Sequence, residues 1–244
     1  MPAQTAETGR TRRQPRSDDA PIGHVSLRDK AYEALKTKII TCELRPGEAI
    51  TVANLAEHVG LGRTPVIQAV DRLVTDGLVE VMPRKGIVVA PISLNEIFDI
   101  IEVRILNECQ AARWAADKVT KADLAALQAN LDAMRAASEA RDIDRLIHLD
   151  REFHRLISAA AGNPVLAEFL GNLHDRAVRF WFVSMRAPDH NARVCNQHAT
   201  LIDAFRSHDP DAAEAAMRAH IVDFQHNLTS QIMRNRRADS IRSG

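Results

Sequence analysis

The spacing of apolar and polar positions divides the chain into a short mixed stretch and a long helical one. After Ser26, which can cap a helix, Ala31, Leu35, Ile39 and Ile40 recur at three- and four-residue intervals, so one buried helical face runs to about Thr41. Leu44-Arg45-Pro46-Gly47-Glu48 is a turn. Thr51 opens a shorter helix with Leu55, Ala56 and Val59 on one side, and Gly60 ends it. Thr64-Pro65 predicts a third helix, with Thr64 as cap and Pro65 at the first helical position, where its missing N–H is no loss. Val66, Ala69, Val70, Leu73 and Val74 form its buried stripe, and Asp76-Gly77 stops it. Leu78–Met82 and Ile87–Ala90 read as two short strands joined by the basic turn Pro83-Arg84-Lys85-Gly86.

Helix, turn, helix, hairpin is the order of a winged helix-turn-helix. A helix whose solvent side begins with Arg63 and Thr64 can enter a major groove, and a basic hairpin tip can follow the phosphate backbone or a minor groove. The competing structural reading is a helical hairpin whose surface turn binds another protein.

Beyond Pro91-Ile92-Ser93 the pattern is helical throughout. Ser93 with Glu96 three residues later is a capping-box signature. The expected spans are Leu94–Lys118, Ala122–Ala140, Ile143–Ala160, Pro164–Met185, His190–His208 and Pro210–Arg234, with breaks at Thr120, Arg141-Asp142, Gly162-Asn163, Ala187-Pro188 and Asp209-Pro210. Six such helices form an all-α bundle. The expected organisation is a disordered tail over 1–25, a winged helix-turn-helix over 26–91, a helical domain over 92–234 and a flexible tail over 235–244. The fold class is therefore mostly α, with a small β-hairpin wing.

Composition adds little that contradicts this. The 244 residues include 45% hydrophobic but only 4% aromatic side chains, which favours helices packed on helices. The formal net charge is zero, yet nucleic-acid binding depends on local charge rather than the sum. There is no apolar run of membrane-spanning length and no signal-peptide core. Cys42, Cys109 and Cys195 are odd in number and widely spaced, unlike a disulfide framework, so a cytoplasmic protein is expected.

The chemistry of the second part lies where polar residues interrupt apolar stripes. In Ile143–Ala160 the stripe is Leu146, Leu149, Phe153 and Ile157; Asp150 and His154 lie along its edge one turn apart, so both point the same way. His198 falls within Val194, Leu201, Ile202 and Phe205, and His220 among Ala216, Met217 and Phe224. Burying such groups unpaired costs roughly 1–3 kcal/mol each. One divalent cation held by Asp150, His154, His198 and His220 would satisfy all four; hydrogen-bonded core histidines are the plainer alternative. His148, His174, His208 and His226 serve as controls, and most of them fall off the stripes. In Leu94–Lys118, Arg104 and Glu108 share the face of Ile97, Ile101, Ile105, Ala112 and Ala115. A buried Arg needs an anionic partner, either Glu108 or a ligand carboxylate held as a bidentate fork. The ligand is the expected partner, with Glu108 and Asn172 beside it.

The runs GRTPVIQAVDRL, DGLVEV and RKGIVVAP, within Leu27 to Pro91, resemble the DNA-binding domain of GntR-type bacterial transcription regulators. The resemblance implies DNA contacts by Arg63, Thr64, Lys85 and Gly86; Gln68 and Arg84 complete the candidate surface. The chain departs from the family at Ile67 and Gln68, where Arg and Glu are usual, and that bears on the operator read. LDREFHRLI, NQHATLIDAF and AMRAHI, within Leu94 to about Ile232, resemble the FCD ligand-binding domain of the FadR-type branch, in its six-helix version. That resemblance implies a metal on Asp150, His154, His198 and His220, and through the EVR segment a carboxylate effector at Arg104.

Together these features predict a transcription regulator and not an enzyme, with repression the commoner logic. It would bind operator DNA as a homodimer and respond to a small organic or sugar acid beside a divalent Zn, Ni or Mn ion. Two alternatives stand: a regulator for which the metal is the signal, and a helical metallohydrolase fused to a DNA-binding module, since His174-Asp175 with the Asp150/His154 pair resembles helical phosphohydrolase sites.

Overall fold

In the structure, a computed structural model, residues 26–184 and 188–242 are described. The tail expected over 1–25 and the helix end expected at Met185 lie outside them. Three helices come first: α1 (Leu27–Ile40), α2 (Val52–Val59) and α3 (Arg63–Thr75). Ser26 caps α1 by accepting from the Asp29 N–H, and Thr51 caps α2 by accepting from the Asn54 N–H. Gly60 closes α2 in a left-handed conformation, φ 65°, that few other residues adopt.

Helix α3 starts earlier than the Thr64-Pro65 signal predicts. Its cap is Gly62, which makes no side-chain bond, and Arg63, Thr64 and Pro65 form the first turn. Pro remains acceptable there because first-turn N–H groups have no intrahelical partner. Val66, Ala69, Val70 and Leu73 are buried as expected, but Val74 is exposed: it lies where the stripe has turned away from α1.

The wing is β2 (Val79–Met82) against β3 (Gly86–Val89), antiparallel, with Val79 opposite Val89 and Met82 opposite Gly86. The periodicity gave no sign of β1 (Ala49–Ile50), which pairs with β3 and extends the hairpin into a three-stranded sheet of order β1-β3-β2. Two residues are too few to show a period.

Six longer helices follow: α4 (Leu94–Lys118), α5 (Lys121–Ala140), α6 (Ile143–Ala160), α7 (Pro164–Ser184), α8 (Pro188–Arg206) and α9 (Pro210–Arg242). The backbone of α9 continues past the expected end at Arg234. Ser93 accepts from the Glu96 N–H, but the Glu96 carboxylate turns to Arg176 on α7 rather than back to the cap. A full capping box forms instead at α5, between Thr120 and Asp123. No helix among the described residues is long and apolar enough to cross a membrane.

Helix α4 runs through the middle of the bundle, packing on α9, α6, α7 and α8, and α5 covers α6 and α8. Helix α1 packs on α7 and ties the two groups of helices together. A polar bond reinforces that seam: Arg179 on α7, fully buried, donates to the Ala90 carbonyl at 2.7 Å, while within the bundle Arg176 of α7 pairs with Glu96 of α4 at 2.6 Å.

Candidate metal centre and its cavity

Helix α6 is strongly amphipathic, and its buried face carries Asp150 and His154 one turn apart. Helix α8 adds His198 and α9 adds His220, and all four side chains are at most 5% exposed. One ligand atom from each lies within 4.8 Å of the others. The Nε2 atoms of His154 and His220 are 3.2 Å apart, His198 Nε2 is 3.5 Å from Asp150 Oδ1, and His154 Nε2 is 3.9 Å from Asp150 Oδ2. Tetrahedral ligands bound at ~2.1 Å stand roughly 3.4 Å from one another, so these separations suit a shared cation.

The far sides of the rings are held. His220 Nδ1 is 2.9 Å from Gln197 Oε1, His154 Nδ1 is 2.7 Å from Glu108 Oε2, and His198 Nδ1 faces Met134 Sδ at 3.3 Å. His198 also stacks on Phe153, with centroids 3.9 Å apart and planes 4° from parallel. Outer contacts of this kind orient each imidazole so that Nε2 faces the centre. Neither oxygen of the Asp150 carboxylate has a hydrogen-bond donor among the described residues, and His198 Nε2, 3.5 Å from Asp150 Oδ1, makes no hydrogen bond there. Such orphaned polar atoms are costly in a core unless something else satisfies them.

The protonation states follow from burial. Burial pushes the Asp150 carboxyl up to about 7, against the pull of His154 and Arg104. Burial also drives His198, His220 and His174 well below the ordinary imidazole range, so their rings are neutral at neutral pH, the form that binds metals. A cation would favour the ionised Asp150 in the same place.

His174 is the histidine that sequence reasoning set aside wrongly. It is buried on α7, its Nε2 is 3.6 Å from Asp150 Oδ2, and with Glu108 and His154 it makes a second group of potential ligands. Its own helix is apolar on more than one face, which hides any interrupted stripe. The other controls, His148, His208 and His226, are exposed.

Arg104 also differs from expectation. Its Nε donates to Glu108 Oε1 at 2.5 Å and Arg104 is fully buried, while its Nη1 has no hydrogen-bond partner among the described residues. Burial alone would raise the Glu108 carboxyl, but Arg104 and His154 outweigh it and hold the group well below the usual carboxylate range. Arg104 thus fixes Glu108, and Glu108 in turn fixes His154.

A cavity of about 240 Å³ opens beside the cluster. Glu108, His154, His174 and Asn172 are on its wall, whereas Arg104 is not. Lys36, Arg151, Arg155, Ser158, Glu168 and Asp175 are the other polar residues of the lining. Asp175 enters the sequence reading only beside His174, in the hydrolase alternative, and Lys36 and Arg151 not at all, because each finds its partner on another helix.

On the winged module Arg63, Thr64 and Gln68 are exposed on α3, and Arg84, Lys85 and Gly86 are exposed at the wing tip. Gly86 has φ 81°, which explains glycine at that turn. The structure therefore keeps all six candidate DNA-facing positions open to solvent.

A winged helix-turn-helix joined to an all-α bundle is the architecture of a DNA-binding transcription regulator. The comparisons agree. The profile of "Bacterial regulatory proteins, gntR family" matches residues 27–89, and the FCD domain profile matches residues 99–223. The HTH-type transcriptional repressor GlaR of Escherichia coli is 30% identical over 204 residues, 78% of this chain and 90% of that protein. The repressor RspR of the same organism is 26% identical over 202 residues, 83% of this chain and 89% of that one. The solved structure of Escherichia coli McbR/YncC, at 26% identity, superposes with a TM-score of 0.79 over 86% of this chain and all of that one. The chain belongs to the GntR family of DNA-binding transcription regulators, with a C-terminal FCD domain. Its relatives are regulators rather than enzymes.

Proposed function

We propose that the protein is a repressor whose hold on operator DNA is controlled by a small organic acid, bound in the cavity beside a divalent cation on Asp150, His154, His198 and His220. Residues 26–91 act as the DNA-reading module and residues 92–234 as the sensing one. The observation that carries this is the Asp150 carboxylate, buried among three inward-facing imidazoles with no hydrogen-bond donor among the described residues. A cation there neutralises that charge and offers a Lewis-acidic anchor for a carboxylate. Glu108 and Asn172 border the ligand, while Arg104 acts through Glu108 and His154. Nitrogen-rich ligation suits Zn, Ni or Mn, with availability deciding among them. The named repressors GlaR and RspR support the sign of the response.

In DNA binding, Arg63, Thr64 and Gln68 face the major groove and Arg84, Lys85 and Gly86 the backbone or minor groove. Two copies would place two recognition helices on half-sites about one helical turn apart.

The test is metal analysis of the purified protein, followed by operator titration with metal alone and then with a panel of carboxylic acids at fixed metal. Stoichiometric metal, with operator release only on adding an acid, is expected. Release by metal alone would make the cation itself the signal; protein that holds no metal, or that keeps its metal unchanged on His198→Ala, would end the reading.

A further inference from the structure

The cavity beside the cluster is not built by the FCD domain alone. Lys36, on α1 of the winged module, lies on its wall, and the residue is only 6% exposed. Lysine is seldom buried this far without a specific anionic partner. Here the partner is Asp175 on α7, whose carboxylate is also gripped by Arg151 of α6, with Nη2 to Oδ2 at 3.1 Å. Asp175 is 1% exposed and lines the same cavity, as does Arg151. One carboxylate therefore joins the DNA-reading module to the sensing bundle at the point where a ligand would sit.

The adjacent wall makes the arrangement directional. Helix α1 packs on α3, the helix that presents Arg63 and Gln68, and on α7. A change in what Lys36 bonds to acts on α1 and hence on the placement of α3. His154 and His174 mark the metal side of the cavity; elsewhere on its wall Lys36, Arg151 and Arg155 bring three positive charges against the carboxylates of Asp175 and Glu168.

We infer that the effector is a small diacid, one carboxylate on the metal side and the other taking Lys36 and Arg151 in place of Asp175, so that Lys36 is both a ligand contact and the relay to the DNA-binding module. This rests on the proposed acid-binding role of the cavity. An anion at Lys36 exchanges a bond between modules for a bond to ligand. That gives the ligand different free energies in the operator-bound and released arrangements, which coupling requires.

The test uses full-length, Zn-loaded protein and an operator obtained by in-vitro selection. Malonate, succinate, glutarate and malate are the probes, with lactate as a monoacid control. Ligand binding is measured by calorimetry and operator binding by anisotropy, each with and without the other partner. For wild type, at least one diacid should bind and weaken operator binding roughly tenfold or more, and lactate should do so far less. In Lys36→Met the same diacid should bind more weakly and its effect on operator affinity should fall towards none. Lys36→Arg, which keeps the cation, should retain most of it. Lys36→Gln stands in if the Met variant does not fold. If the diacid releases operator equally from wild type and Lys36→Met, the relay is wrong while the acid-binding reading survives. If none of the four diacids binds wild type, the diacid assignment fails, and the carboxylic acid panel decides separately whether the cavity takes acids at all.

Discussion

Replacing Asp150 by Asn should raise the stability of the metal-free protein and lower that of the metal-loaded one. The Asp150 carboxyl, 1% exposed, is raised from its ordinary 3.8 to about 7 by burial. In the unfolded chain it ionises from about pH 4 upward, while the folded chain holds the proton until near pH 7. The penalty on folding therefore grows between those values and is complete above pH 7. At about 1.36 kcal/mol for each pH unit between them, it comes to roughly 4 kcal/mol at about pH 8. The Asn side chain would remove the charge but leave a poorly paired amide, at roughly 1–3 kcal/mol. The net gain in chelator is about 1–3 kcal/mol, or a rise in Tm of about 2–12 °C for a chain of this size. At pH 5 the gain should shrink, because the folded carboxyl is by then protonated. With metal at about a thousandfold excess over Kd, wild type should gain about 4 kcal/mol, and the variant much less. Differential scanning calorimetry at pH 5 and pH 8, with chelator and with Zn, reads all of this. An Asp150→Asn variant that is less stable than wild type in chelator at pH 8, and equally responsive to Zn, would mean that Asp150 is an ordinary core acceptor.

Other consequences are open to measurement. Glu108→Gln should destabilise by about 3–5 kcal/mol at neutral pH by stranding the buried Arg104 guanidinium, seen in denaturant titration. Because the folded Glu108 carboxyl lies well below its ordinary value, that difference should persist to pH 5 and fade only as the folded group takes a proton in stronger acid. Operator affinity should fall linearly in log salt, and Lys85→Ala should reduce the slope by about one unit with little change in sequence preference. Tyr32→Phe, which removes the 2.5 Å bond from the phenol to the Asp76 carboxylate at the end of α3, should cost about 1–3 kcal/mol without altering metal content.

Much of the fold was legible because local physics dominates it. Ser26, Thr51 and Ser93 cap helices wherever their neighbours fall, Gly60 ends one, and the Val66-to-Leu73 stripe has to face a core. Asp150, His154, His198 and His220 stood out because each breaks an apolar face of its own helix, and the fold brings all four within 4.8 Å.

What stayed hidden has a common cause. Strand β1 exists only because β3 lies beside it; Arg104 turns to Glu108 because the bundle closes over both; His174 matters because α7 packs on α6. Lys36 looks like an unremarkable charge until α1 meets α7 and brings it to Asp175. The chain alone determines which face of each helix turns inward, since that depends on residues three and four apart. Which polar groups then meet depends on contacts between different helices, from Arg151 and Asp175, 24 positions apart, to His154 and His220, 66 apart, and Cys42 and Arg179, 137 apart, and only the folded arrangement of the helices decides those.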